Sequence, residues 1–262
     1  MDARRLFDLD DRVALITGAT RGLGLTMAQA FAAAGAQVAV VSRKPEACEE
    51  VAAQLREGGA RASAFPCHVG NWDELEPLVE RVYGELGRVD VLVNNAGMSP
   101  VYGALSEVSE ELFDKVIAVN LKGPFRLGAL VGERMVADGG GAIINVSSTG
   151  AVRPTRDIVP YAAAKAGVNA MTVGLADAFG PTVRVNAIMP GPFLTSIARG
   201  WDMEAFERRA RSFPLRRAGE ADEIAGAALY LASGASSYTT GTVLTVDGGS
   251  QWSTATTGDA RS

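Results

Sequence analysis

The chain has 262 residues, 47% of them hydrophobic and 21% charged, with a net charge of −5. That balance belongs to a globular protein with enough length for a large core, and its mild acidity, with no basic stripe, sets nucleic acid aside as the main partner. No apolar run approaches the length of a membrane span, the acidic opening MDARRLFDLDD does not read as a secretory leader, and Cys48 and Cys67 match no metal or redox spacing, so a reducing cytoplasm and no metal are expected.

In chain order, apolar runs at 13–17, 37–42, 88–94, 142–147 and 183–188 read as strands. They are continuous rather than alternating, as strands are when both faces of a parallel sheet are covered. Helical patterns fall at 22–34, 45–57, 72–83, 109–138, 161–180 and 220–231, and Gly35 stands where a helix C-cap glycine would. Strands alternating with helices across short joins predict an α/β fold, a doubly wound parallel sheet with helices on both faces. No repeat or long linker divides the chain, so one domain is expected over 1–262, ending in a polar tail (about 251–262) that frays.

The first strand runs into TGATRGLG, with glycines at 18, 22 and 24. A turn this tight needs backbone free of side chains, and it brings a phosphate close to the free N–H groups of a helix start. Far downstream, YAAAK places Tyr161 and Lys165 four residues apart, on one face of a helix with only alanines between. A free tyrosine titrates near pH 10, and a neighbouring ammonium stabilises the phenolate and moves it toward working pH. Asn120 falls inside a long helical pattern, an unfavourable place for asparagine.

The glycine spacing, NNAG at 94–97, Asn120 in VNLKG, VSS at 146–148, YAAAK, PG at 190–191 and DGG at 247–249 follow one another as they do in the short-chain dehydrogenase/reductase (SDR) family, which the chain resembles over roughly residues 9–249. The resemblance implies a Rossmann-like fold of about seven parallel strands. It also implies a nicotinamide cofactor and hydride transfer between that cofactor and a carbonyl or alcohol carbon.

By the same resemblance, Tyr161 is the general acid/base, and Lys165 both tunes it and holds the nicotinamide ribose. Ser148, thirteen residues before the tyrosine, orients the substrate oxygen, with Ser147 left as a strand-end residue. Asn120 holds a water that relays protons to Lys165. The cofactor site implied comprises Gly18, Thr20, Arg21, Gly22, Leu23, Gly24, Ser42, Arg43, His68, Val69, Asn95, Ala96, Gly97, Ile188, Pro190, Gly191 and Thr195, together with Tyr161 and Lys165. NAD-using relatives carry an acidic residue after the second strand; here stand Ser42, Arg43 and Lys44, with Arg21 in the glycine turn, so NADP(H) is expected over NAD(H).

The chain departs from the family pattern at CHVG, where His68 replaces an aspartate that meets adenine; whether His68 touches adenine stays open. A lid is expected over about 192–215, in which Trp201 and Phe206 either face substrate or pack the lid, with packing preferred. Arg153, Arg156 and Asp157 either meet a polar or anionic substrate or form a charged surface loop, the latter preferred. Three functions compete. The first is a carbonyl reductase or alcohol dehydrogenase acting on a 3-oxoacyl thioester, a small ketone, or a sugar or polyol. The second is a non-catalytic dinucleotide-binding regulator, and the third a dehydratase or epimerase. A Ser-His-Asp hydrolase is set aside, since the one histidine, His68, lies in another region. The family resemblance also implies a homotetramer or homodimer, built on the helices at 109–138 and 161–180.

Overall fold

The structure, a computed structural model, describes residues 3–195 and 202–253. Trp201, the lid residues 196–200 and the tail 254–262 lie outside the described residues. The sharpest sequence signals keep their bounds. β1 (Val13–Thr17) leads through the glycine turn to α1 (Gly22–Ala33), then to β2 (Gln37–Ser42) and α2 (Pro45–Glu57), whose proline sits in the first turn, where no N–H is missed. β3 (Ala62–Pro66), α3 (Trp72–Leu86) and β4 (Val91–Asn94) follow.

The single helix expected over 109–138 is instead α4 (Glu110–Ile117), a π turn (Ala118–Lys122) and α5 (Gly123–Ala137). Pro124 has no N–H to offer the Asn120 carbonyl four residues back, so regular α bonding cannot run through this point. β5 (Gly141–Val146), α6 (Val159–Phe179) and β6 (Val183–Pro190) complete the centre. A short parallel pair, β7 (Phe193–Leu194) and β8 (Gly219–Glu220), flanks α7 (Met203–Ala210). α8 (Ala225–Ala232) and β9 (Val243–Val246) close the described chain.

The central sheet is seven-stranded and parallel, in the order β3-β2-β1-β4-β5-β6-β9. Alternate side chains of each strand serve opposite cores. Ile16 packs with Met27, Phe31 and Leu231 under α1 and α8, while Leu15 packs with Leu78, Leu127 and Val131 under α3 and α5. Each large side chain buried this way stabilises the fold by about 1.5–3 kcal/mol. Polar ties are few and deep. Asp90 accepts from Arg12, Arg88 and the Val13 N–H, and Asn94 donates to Asn145, which donates to Thr172 on α6. The strand order reverses at β1, which pairs with both β2 and β4, and the crevice beyond their C-terminal ends receives the glycine turn.

Candidate active site

Gly18 and Gly22 adopt φ of +66° and +55°, the left-handed region that glycine enters without strain. At Gly24 the demand is for space, because a Cβ there would overlap the Gly18 carbonyl oxygen and Asn95 Nδ2. The Thr17 hydroxyl accepts from the Asn95 and Ala96 N–H groups at 3.0 and 3.1 Å, and Asn95 Nδ2 donates to the Thr17 carbonyl at 2.9 Å. The NNAG segment is thereby stapled to the glycine turn. Arg21 is the N-cap of α1 and provides no side-chain cap, so the first-turn N–H groups face the crevice uncapped. Thr195 packs over Gly22, at 3.4 Å from where its Cβ would stand. Thr20 donates to Ser42 at 3.1 Å, and Arg21 and Arg43 are both exposed beside this pair.

Ser148 follows β5 and caps a 3-10 turn (Thr149–Ala151), its hydroxyl accepting from the Gly150 N–H at 3.1 Å. Ser147 continues the sheet register, its N–H donating to the Ile188 carbonyl at 2.8 Å. Tyr161 and Lys165 lie one turn apart near the start of α6. Lys165 is 3% exposed, and its ammonium donates to the Val146 carbonyl at 2.7 Å, 5.7 Å from the Tyr161 ring centre. Burial lowers its pKa to about 8.

Tyr161 is set by two opposing influences. Burial pushes its pKa above the ordinary tyrosine value, and it is the Ser148 hydroxyl, by hydrogen bonding, that favours the phenolate. The Lys165 ammonium, bonded to the Val146 carbonyl, stands 5.7 Å from the Tyr161 ring centre. Asn120, fully buried in the π turn, donates to the Val116 and Met98 carbonyls, both at 2.9 Å, and accepts from the Met98 N–H at 3.2 Å. A Cβ on Gly97 would stand 2.9 Å from Asn120 Oδ1 and 3.7 Å from Lys165 Nζ, so Gly97, Asn120 and Lys165 meet at one point.

The remaining candidates are spread along the same rim. Ile188 is fully buried beneath it, and Pro190 and Gly191 end β6, with Gly191 close against Asp247. Leu23 is half-buried in the first turn of α1. His68 is half-buried, with Nδ1 accepting from the Gly70 N–H at 3.1 Å, while Val69 is buried under the start of α5. Phe206 packs edge-on against Phe213, with ring centres 6.4 Å apart, as the packing alternative expected. Arg156 pairs with Asp157 at 3.5 Å. Arg153 fits neither reading, because it donates to two backbone carbonyls, of Gln251 and Ser253.

Tyr102 was not marked by the sequence. Its hydroxyl donates to the Arg156 carbonyl and accepts from the Val159 N–H, both at 2.8 Å. With Pro100, Leu112, Val116, Ile158 and Pro160 it lines an apolar recess that includes Tyr161. No local pattern announces it; only the fold brings the segment after NNAG against the start of α6.

A protein-family profile described as enoyl-(acyl carrier protein) reductase matches residues 18–251. D-threitol dehydrogenase from Mycolicibacterium smegmatis is 39% identical over 247 residues, 93% of this chain and 94% of that protein. Dehydrogenase/reductase SDR family member 4 from Bos taurus is 37% identical over 245 residues, 92% of this chain and 88% of that protein. The crystal structure of a gluconate 5-dehydrogenase from Burkholderia cenocepacia J2315, in complex with NADP and tartrate, superposes with a TM-score of 0.91 at 33% identity, covering 96% of this chain and 99% of that one. The chain belongs to the short-chain dehydrogenase/reductase family.

This SDR is therefore an NAD(P)-dependent oxidoreductase of alcohols and ketones. Its own residues fit a dinucleotide. The turn closes as tightly as it does only because Gly24 lacks a side chain to meet Gly18 and Asn95, and the α1 start, without a side-chain cap from Arg21, offers N–H groups and a positive dipole end to a pyrophosphate.

Proposed function

We propose that this SDR interconverts a secondary alcohol and its ketone in a small polyhydroxylated molecule, with NADP(H) preferred. The observation that carries the reading is the convergence of Ser148, Tyr161, Lys165 and Asn120 at the ends of β5 and α6, across the crevice from the uncapped α1 start. When bound, the nicotinamide supplies or accepts the hydride. Tyr161 exchanges the proton with the substrate oxygen, and Ser148 donates a hydrogen bond to that oxygen and fixes its position. Lys165 contributes positive charge one helical turn from the phenol, and Asn120 holds the π turn against it.

The polyol class is supported by the likeness to D-threitol dehydrogenase and gluconate 5-dehydrogenase. A 3-oxoacyl thioester is the second reading, favoured by the description of the matching family profile. The expected outcome is NADP-dependent oxidation of D-threitol or a related polyol, lost by at least about a thousandfold in Tyr161→Phe. Undiminished turnover in that variant overturns the reading. Reduction of a 3-oxoacyl thioester, with polyols inert, moves the substrate to the second class.

NADP(H) preference is supported by Arg21 and Arg43, exposed beside Ser42 and Thr20, with no carboxylate at the end of β2. Charge-assisted hydrogen bonds to a 2′-phosphate should favour NADPH over NADH by about tenfold or more in kcat/KM, and Arg43→Ala should narrow the gap. Parity between the two cofactors in the parent enzyme overturns the preference. The exposed Phe125 and Val136 on α5 and Val173 on α6 support a homotetramer or homodimer through these helices, which light scattering tests.

A further inference from the structure

Ser148 is anchored to more than β5. The turn it caps continues to Arg153, whose N–H donates to the Thr149 carbonyl at 2.9 Å. The Arg153 guanidinium then crosses to the far end of the described chain. Nη1 donates to the Gln251 and Ser253 carbonyls, both at 2.6 Å, and so commits both of its protons.

The segment it grips is itself tightly built. The Asp247 carboxylate accepts from the Gly249 N–H at 2.8 Å, the Gln251 N–H at 2.7 Å and the Ser250 hydroxyl at 3.2 Å. Gly191, at the end of β6, allows Asp247 in, because a Cβ there would come within 2.6 Å of the Asp247 side chain. The Ser253 hydroxyl meets that of Ser212, just past α7, at 2.6 Å, and the Leu215 N–H donates to the Gly248 carbonyl at 3.1 Å. Residues 247–253 are thus held from three sides: by the end of β6, by the segment after α7, and by the turn that carries Ser148. Arg153 has no carboxylate partner among the described residues, and its charge bears on that of Arg209, a like one. With Nη1 given over to these two carbonyls, the guanidinium ties the turn after Ser148 to the C-terminal segment.

We propose that Arg153 is a positioning residue that clasps the C-terminal turn and thereby sets the position of the Ser148 hydroxyl. The inference rests on the reading of Ser148 as the group that orients the substrate oxygen. A misplacement of well under an ångström at such a donor lowers turnover more than binding.

The test uses D-threitol oxidation with NADP as its activity probe and backbone hydrogen exchange over 148–153 as a readout that needs no substrate. The variants are Arg153→Ala, Arg153→Lys, a chain ended after Ser250, and that shortened chain carrying Arg153→Ala. Arg153→Ala is expected to lower kcat about tenfold with the dinucleotide KM within about twofold of the parent, and Arg153→Lys to recover most of the loss. The shortened chain should show the same loss, and adding Arg153→Ala to it should cost nothing further, the signature of two changes that remove one interaction. Exchange over 148–153 should quicken equally in all but the parent and the lysine variant. A second tenfold loss on combining the two changes, or unaltered exchange in Arg153→Ala, overturns the clasp. If the parent leaves D-threitol untouched, the substrate reading fails alone, and the exchange arm still decides the clasp.

Discussion

Lys165 is a buried ammonium in the candidate site. Its folded pKa, lowered by burial from the ordinary 10.5 to about 8, corresponds to about 3 kcal/mol spent on keeping an ammonium out of water. Because the folded value is the depressed one, that cost is present in full below about pH 8, shrinks as pH rises toward 10.5, and is gone above it. Lys165→Met is therefore expected to melt several degrees higher than the parent at pH 7, with the gap closing by pH 10.5, while activity is lost. Thermal melts at the two pH values check this, and a variant less stable than the parent at pH 7 contradicts it. The pairing of Tyr161 with Lys165 was legible in the sequence because helical spacing is local. The direction of the tyrosine's shift was not, because it depends on burial by distant segments and on which oxygen the ammonium finds.

Among the elements, the π turn was the feature the sequence pattern hid. The helical pattern over 109–138 runs on through it, and its one sequence marker is Pro124, four residues after Asn120. Asn120→Ala should leave the Met98 N–H and two backbone carbonyls without their partners and lower stability by about 2 kcal/mol or more in urea melts. A change below about 0.5 kcal/mol would show that the turn holds itself without the side chain. Within the central sheet, the two strands that no apolar run announced, β3 and β9, are its edges. An edge strand has one neighbour and partial cover. ASAFP and VLTV accordingly carry half-exposed positions where the inner strands are almost wholly buried, and the continuous apolar pattern is missing for that reason.

At the scale of the whole molecule, the strand order was largely implied once the glycine turn, NNAG, VSS and YAAAK had been placed in sequence, since each closes a strand or opens a helix. The C-terminal clasp was not, because it joins residues 98 and 100 positions apart by side-chain-to-backbone bonds that leave no motif. The parallel sheet brings the C-terminal ends of β1, β4, β5 and β6 to one rim, so a dinucleotide bound as proposed would touch several strands at once. Saturation at a hundred times Kd should stabilise the folded chain by about 2.7 kcal/mol, raising Tm by about 5–10 °C, with NADP exceeding NAD at equal concentration. Equal shifts for the two dinucleotides contradict the cofactor preference.

The opposite rim is free of this duty. There the glycine joins Gly58–Gly59 before β3 and Gly139–Gly140 before β5 lead into strand starts, and side chains added at Gly59 or Gly139 would meet nothing within 4 Å. Gly59 and Gly139 hold φ of +89° and +93°, where a side chain is strained even in open space, so a spliced-in peptide that keeps each glycine belongs at these two corners, a full strand length from the chemistry.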